Sequence, residues 1–281
     1  MHFVKRVFSL VFLLTALTSS NIMAFQTRDE NLNDDELFNT NWTSFAYSGY
    51  TWSKNAGIVN PDPAVFTSVG PGDSDDSTVS NCPFSGTSLV RNINDWCVIG
   101  MSYEAYGLFT YQRYHANGVA PVSPQREVIG VNYVRSFSLS HQSVMAETFL
   151  KLPKRWKTTL GSTNVRPIFG GGVGIGITNF FDFQTLSYDE FTTDTEITTL
   201  GSNHIAKSFA WRVECGINFK TIDSRTSFGI SYRYYYGGKF SSGSRYQFND
   251  THSQGGVLVF PPWTGAIRAN QIKLYIAVEF N

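Results

Sequence analysis

The sequence predicts an all-β fold: an antiparallel, eight-stranded transmembrane β-barrel with long extracellular loops on one side and short periplasmic turns on the other. Three observations predict it. Segments of about ten residues alternate between apolar and polar side chains with period two, the length and pattern of a tilted membrane-crossing strand. The apolar stripe of these segments is nearly uninterrupted, whereas the opposite stripe carries charge. The chain also opens on an export signal, and it is rich in aromatics (15%) and poor in charge (16%).

Residues 1–24 place Lys5 and Arg6 before an apolar run from Val7 to about Leu17, and small and polar residues follow up to Ala24. This is the layout of a secretory signal peptide, with cleavage expected near Ala24–Phe25. Residues 25–41, acidic and polar, read as a periplasmic N-terminal lead-in, and 42–281 as the outer-membrane β-barrel. No run of 18 apolar residues follows the leader, so no membrane-spanning helix is available. Lysine plus arginine (22) balance aspartate plus glutamate (22), which argues against a nucleic-acid partner.

Strand one is expected at Trp42–Ser53. A long Asp-, Ser-, Gly- and Pro-rich loop, 54–95, follows. Strand two covers Trp96–Tyr103, a tight turn falls at Glu104–Ala105, and strand three covers Tyr106–His115. A loop holding "ANGVAPVSPQ" leads to strand four, which ends in "SVMAETFLKLP". "KRWKTTLGSTN" is the next short connection, and "VRPIFGGGVGIGI" is strand five. A loop at 179–204 precedes strands six (207–220) and seven (226–240). The last loop, 241–265, leads to strand eight, 267–280.

Strand six shows the pattern most plainly. Trp211, Val213, Cys215, Ile217 and Phe219 fall on one parity, and Arg212, Glu214, Gly216 and Asn218 on the other. Alternation alone does not say which stripe faces inward, since a soluble sandwich would bury the apolar one. Strand length, aromatic residues near the strand ends, alternating short and long connections and the export signal favour a barrel with polar side chains inside. Parity then places Glu147, Lys151, Arg166, Arg212, Glu214, Arg233, Lys273 and Glu279 in the lumen. Both signs occur in near balance. Eight strands leave an interior that side chains fill, so these residues are expected to form an ion-pair network that plugs it. The alternative is a narrow ion path. Strand three is ambiguous, because placing Arg113 inside takes Phe109 and Tyr111 with it.

The glycine-rich strand five invites a nucleotide-binding reading. No helical pattern follows it, and neither G-x-x-x-x-G-K-[ST] nor G-x-G-x-x-G is present. Gly170, Gly172, Gly174 and Gly176 are instead two apart, on the face of Arg166, and read as a lumen glycine stripe. Val165, Phe169, Val173, Ile175 and Ile177, with Gly171, form the lipid-facing stripe. Cys82 and Cys97 flank a polar segment and could close a loop disulfide; Cys215 is left over. No cofactor or metal site is expected. The acidic "GDSDD" at 72–76 lacks repeated ligand spacing and reads as a solvated loop. His141, Ser143 and Glu147 share one parity, which raises a remote hydrolase reading.

The order of elements resembles the small eight-stranded outer-membrane barrels, the OmpA-like and opacity-type family. The resemblance is carried by the leader, "YEAYGLFTYQRYH", "SVMAETFLKLP" followed by "VRPIFGGGVGIGI", and the closing "IKLYIAVEFN", and it spans most of 42–281. It implies a protein of the outer membrane, in contact with lipid and lipopolysaccharide; the chain is not expected to be an enzyme. It also implies a C-terminal strand recognised by the barrel-assembly machinery, although here Asn281 follows the terminal aromatic, Phe280. The expected role is a surface-interaction scaffold whose loops meet an extracellular or host ligand. The alternatives are a small ion or hydrophobic-solute channel and, remotely, a lipid-modifying enzyme.

Overall fold

The computed structural model describes residues 42–54, 56–59, 79–94, 96–115, 132–150, 152, 156–188, 195–222, 224–248 and 256–280. The expected leader and lead-in, the acidic 72–76 segment and Lys151 lie outside them. The described residues form one antiparallel sheet of thirteen strands. In chain order these are β1 (Trp42–Ser53), β2 (Cys82–Asn92), β3 (Cys97–Tyr106), β4 (Phe109–His115), β5 (Asn132–Leu150), β6 (Thr158–Leu160), β7 (Thr163–Tyr188), β8 (Thr195–Gly201), β9 (His204–Thr221), β10 (Thr226–Ser241), β11 (Arg245–Phe248), β12 (Gly256–Val259) and β13 (Thr264–Phe280).

The pairings of eight of these strands run in a cycle. β1 pairs with β2, β2 with β3, β3 with β5 and β5 with β7. β7 pairs with β9, β9 with β10, β10 with β13, and β13 with β1 again. One end of this ring holds the short connections from β2 to β3 and from β9 to β10 and the strand ends Trp42 and Phe280. At the same end β6 folds back on β7 through Gly161–Ser162, where Gly161 takes φ +62°, the left-handed geometry of a tight hairpin. At the opposite, loop end, the sheet continues past the ring: β4 lies along β5, and β8, β11 and β12 add in turn beyond β7.

Burial alternates along the ring strands. Thr43, Phe45 and Tyr47 of β1, Arg212 and Glu214 of β9, and Gln271, Lys273 and Tyr275 of β13 are buried. Met101, Val173, Ile175, Val213, Phe228 and Leu274 are exposed. The charged stripe is therefore the covered one and the aliphatic stripe the uncovered one, the reverse of a water-soluble core.

Two of the expected strands need correction, and the two errors offset each other in the count. Residues 82–92, expected in a loop, form β2. Its buried stripe is Cys82, Phe84, Gly86, Ser88 and Val90, while Pro83, Ser85, Thr87, Leu89 and Arg91 face out. Small polar residues on both faces conceal the alternation. Conversely, the expected strands two and three run along one partner. β3 and β4 both pair with β5, the first through Ala105↔Gln142 and the second from Phe109↔Leu139, a shift of one residue across Gly107–Leu108. This bulge moves the buried parity from Ser102, Glu104 and Tyr106 to Phe109 and Tyr111. The ambiguity of strand three has its cause there. No turn exists at Glu104–Ala105.

Candidate functional site

The interior of the ring is the site where the charged residues meet. Its hub is Glu104, on β3 and wholly buried. The carboxylate accepts from Arg212 Nη1 of β9, from Arg233 Nη1 of β10 at 2.5 Å, from Tyr47 Oη at 2.9 Å and from Tyr106 Oη at 2.7 Å. Arg212 also pairs with Glu147 of β5, and its Nη2 donates to Ser102 Oγ at 3.1 Å. One strand further round, Lys273 of β13 pairs with Glu214 of β9, which also accepts from Ser231 Oγ at 2.7 Å. Near the turn end Lys220 Nζ meets Glu279 Oε2 at 2.9 Å. Among the described residues these pairs join four carboxylates to four cations; Arg135 of β5 is also buried, 5.7 Å from the Trp263 ring centroid. The cations are also roofed by rings: Arg233 lies 4.5 Å from the Phe84 centroid, and Lys273 lies 4.9 Å from that of Tyr47.

Of the residues expected in the lumen, Glu147, Arg212, Glu214, Arg233, Lys273 and Glu279 lie in these pairs. Arg166 is half-buried on the inward parity of β7. The hub itself, Glu104, falls in the turn expected at Glu104–Ala105, and Lys220 is not among the expected lumen residues. An alternation Ser102, Glu104, Tyr106 against Met101, Tyr103, Ala105 would have exposed Glu104.

Above the ion pairs the interior turns aromatic. Tyr106 stacks on Tyr235 at 5.2 Å and on Phe84 at 5.6 Å. His141 shares one ring nitrogen with Tyr235 Oη at 2.6 Å and the other with Thr178 Oγ1 at 2.9 Å. Higher still, Tyr111, Phe137 and Phe180 follow one another at 4.6 Å per step, and Phe180 leads to Phe183 and Trp263. At the loop end the Trp263 backbone N–H donates to Ser242 Oγ, which shares a hydrogen bond with Tyr246 Oη; burial pushes the Tyr246 phenol up from its ordinary value.

Gly170, Gly172, Gly174 and Gly176 of β7 lie on the inward parity. A Cβ on Gly170 would strike the Phe149 ring at 2.5 Å, and one on Gly174 would fall 2.0 Å from the Val144 carbonyl oxygen. One on Gly176 would fall 2.2 Å from the carbonyl oxygen of Gly237. Gly237 belongs to β10, which bulges between Tyr236 and Gly238 with Gly238 at φ +90°. Gly172 has more room: the Ala146 carbonyl oxygen lies 3.1 Å away and Met145 Sδ 3.5 Å. The stripe therefore admits rings and backbone, not only long side chains.

Two further expectations change. Cys82 and Cys97 are free thiols, as is Cys215. Cys82 begins β2 at the loop end, and Cys97 begins β3 beyond the turn at the other end. Ten residues of strand separate those ends, roughly 30 Å at strand rise, far outside disulfide reach. His141, Ser143 and Glu147 share the inward face, but both His141 nitrogens are taken by Thr178 and Tyr235 and Glu147 is paired with Arg212. No relay joins the three.

No protein-family model matches the chain, and no curated protein matches it in sequence. Among solved structures it is similar to Neisserial surface protein A, at 10% identity and a TM-score of 0.37, over 85% of this chain and 96% of that one. It is also similar to the outer-membrane protein OprG of Pseudomonas aeruginosa (11%, 0.41, 86% and 99%). A third is Ail, the attachment invasion locus protein of Yersinia pestis, solved with the heparin analogue sucrose octasulfate (11%, 0.31, 86% and 99%). All three scores are below 0.5, so the architecture rests on the strand pairings themselves.

Proposed function

We propose that the ring is an eight-stranded transmembrane β-barrel of an outer membrane, and that it works as a scaffold for surface contacts rather than as a pore or an enzyme. The uncovered aliphatic stripe supports a lipid-facing wall. Long connections at the loop end support its placement outside the cell, with β13 and its Phe280 at the periplasmic rim, where the assembly machinery would read them. The single observation that carries the scaffold reading is the filled interior: ion pairs below and stacked rings above leave the projecting sheet and its connections as the part free to act. Binding on loops held by a rigid frame is the common arrangement.

Two measurements test this reading. Cells displaying the protein are expected to adhere to an extracellular or host surface, and to lose that adhesion when residues 189–194 and 249–255 are replaced by short Gly-Ser linkers. Purified protein in planar bilayers is expected to show no steady openings. Steady single-channel conductance would replace the scaffold reading with a channel.

A further inference from the structure

We infer that one side of the barrel's outer wall carries a binding surface for the phosphate groups of the surrounding outer-leaflet lipid, of the lipid A class, formed by Lys54, Lys207, Lys239 and Arg268. The inference rests on the transmembrane reading above and deepens it by naming a lipid partner and a site.

All four side chains are exposed and stand on four consecutive ring strands, or just past one, at the loop end: Lys207 on β9, Lys239 on β10, Arg268 on β13 and Lys54 directly after β1. Lys54 N–H donates to the Arg268 carbonyl at 2.7 Å, so these two residues are direct cross-strand neighbours. Lys239 is paired with Ala266, two residues from Arg268, which makes it the diagonal neighbour. The Lys239 carbonyl accepts from Ser208 Oγ at 3.0 Å, which brings Lys207 alongside. Like charges so placed destabilise a sheet, and no described acidic side chain lies among them. Glu104, Glu147, Glu214 and Glu279 all point inward, and the exposed Asp182 belongs to β7. An anion bridging the row removes the repulsion.

The level of the row identifies the anion. Directly toward the turn end, the outward stripes become aromatic and aliphatic: Phe209 and Trp211 below Lys207, Tyr236 and Tyr234 below Lys239, and Trp52 and Tyr50 below Lys54. Trp211 and Tyr234 stand 5.5 Å apart and Tyr50 and Trp52 5.3 Å apart, forming a belt of rings. Tyrosine and tryptophan mark the headgroup level of a bilayer, so cations immediately beyond them sit where lipid phosphates lie. Among the described residues at the loop end, Leu108, which links β3 to β4, Thr110 and Gln112 of β4, and Gln142 of β5 face outward, so the described cations of this level are one-sided.

The test uses full-length protein folded in detergent and then presented with vesicles. The probes are diphosphoryl lipid A in phosphatidylcholine, dephosphorylated lipid A in the same host, and inorganic phosphate as competitor. The variant Lys54→Gln/Lys207→Gln/Lys239→Gln/Arg268→Gln is expected to bind diphosphoryl lipid A at least tenfold more weakly than the unaltered protein. The turn-end control Arg91→Gln/Arg225→Gln is expected to bind it unchanged. Removing the phosphates should erase the difference between variants, and millimolar inorganic phosphate should not compete. Equal binding by the quadruple variant, equal loss in the control, or full competition by inorganic phosphate would overturn the inference. If the quadruple variant fails to fold, Lys239→Gln/Arg268→Gln decides in the same assay. The heat-dependent gel shift of the unaltered protein reports the barrel separately: its absence would sink the transmembrane reading, whereas a folded barrel indifferent to lipid phosphate would sink only this one.

Discussion

Glu104→Ala should be among the most damaging single substitutions in the chain. The carboxylate is wholly buried and receives two guanidinium groups and two phenols. Removing it strands Arg212 with only Glu147 and Ser102, and leaves Arg233 without its carboxylate. Breaking a buried pair by deleting one partner costs about 3–5 kcal/mol, and the orphaned phenols share that penalty because they lose the same acceptor. At 1.4 kcal/mol per decade this is roughly two to three and a half powers of ten in the folded-to-unfolded ratio. Glu104→Gln keeps the shape and one acceptor oxygen but leaves one cation unbalanced, so it should fall between the two. Adding Arg233→Met to Glu104→Gln restores charge balance and should recover about 1–3 kcal/mol, the usual coupling within a buried network. Urea unfolding of protein refolded into vesicles, followed by tryptophan fluorescence and gel mobility, reads all four proteins. A Glu104→Ala midpoint that translates to less than about 1 kcal/mol of loss would refute the hub assignment, as would an absence of recovery in the double variant.

The other predictions follow from the same geometry. Gly174→Ala, whose Cβ would fall 2.0 Å from the Val144 carbonyl oxygen, should lower refolded yield more than Gly172→Ala, whose nearest atom, the Ala146 carbonyl oxygen, is 3.1 Å away; overpacking of this kind costs about 1–3 kcal/mol, and equal yields would refute the backbone-approach reading. Tyr235→Phe keeps the ring stack but removes the His141 partner, and should cost about 1–2 kcal/mol in the urea assay. Alkylation of the unfolded chain without reduction should modify Cys82, Cys97 and Cys215 alike by mass spectrometry; a Cys82–Cys97 crosslinked peptide would contradict the placement of β2. In the folded protein a lipid-soluble maleimide should label Cys215 first, since it alone of the three is exposed.

Much of this architecture was legible from alternation alone, and where it failed it failed for local reasons. β9, β10 and β13 were placed within a few residues because their outward stripes are long runs of large apolar side chains against charge. β2 was not, because Ser85, Thr87, Ser88 and Gly86 blur the two faces and the segment's composition is that of a loop. Glu104 was missed for a related reason. The bulge at Gly107–Leu108 reverses the parity halfway along β3 and β4, so no single phase describes the stretch from Cys97 to His115. A search for one consistent stripe then cuts the strand in two and drops the hub into the cut. The pairing of Lys220 with Glu279 lies beyond reach of any one-strand pattern, since it needs the register of β9 and β13 across β10. The inward position of the glycines could be read from spacing. Their close approach to backbone and to Gly237 could not, because it depends on how sharply the wall curves.

β7 runs for 26 residues, whereas a tilted strand needs about 9–11 to cross a bilayer. On the transmembrane reading proposed above, more than half of it stands clear of the crossing; β8 pairs with that projecting part and β11 pairs with β8. A flexible loop that closes on a partner surrenders about 0.5–1.5 kcal/mol for each side chain it immobilises; side chains mounted on a hydrogen-bonded mast have already surrendered most of that freedom when the protein folds. In the proposed scaffold a small contact area then gives useful affinity, and substitutions on the mast are expected to change what is recognised without also changing how well the recognising surface is ordered.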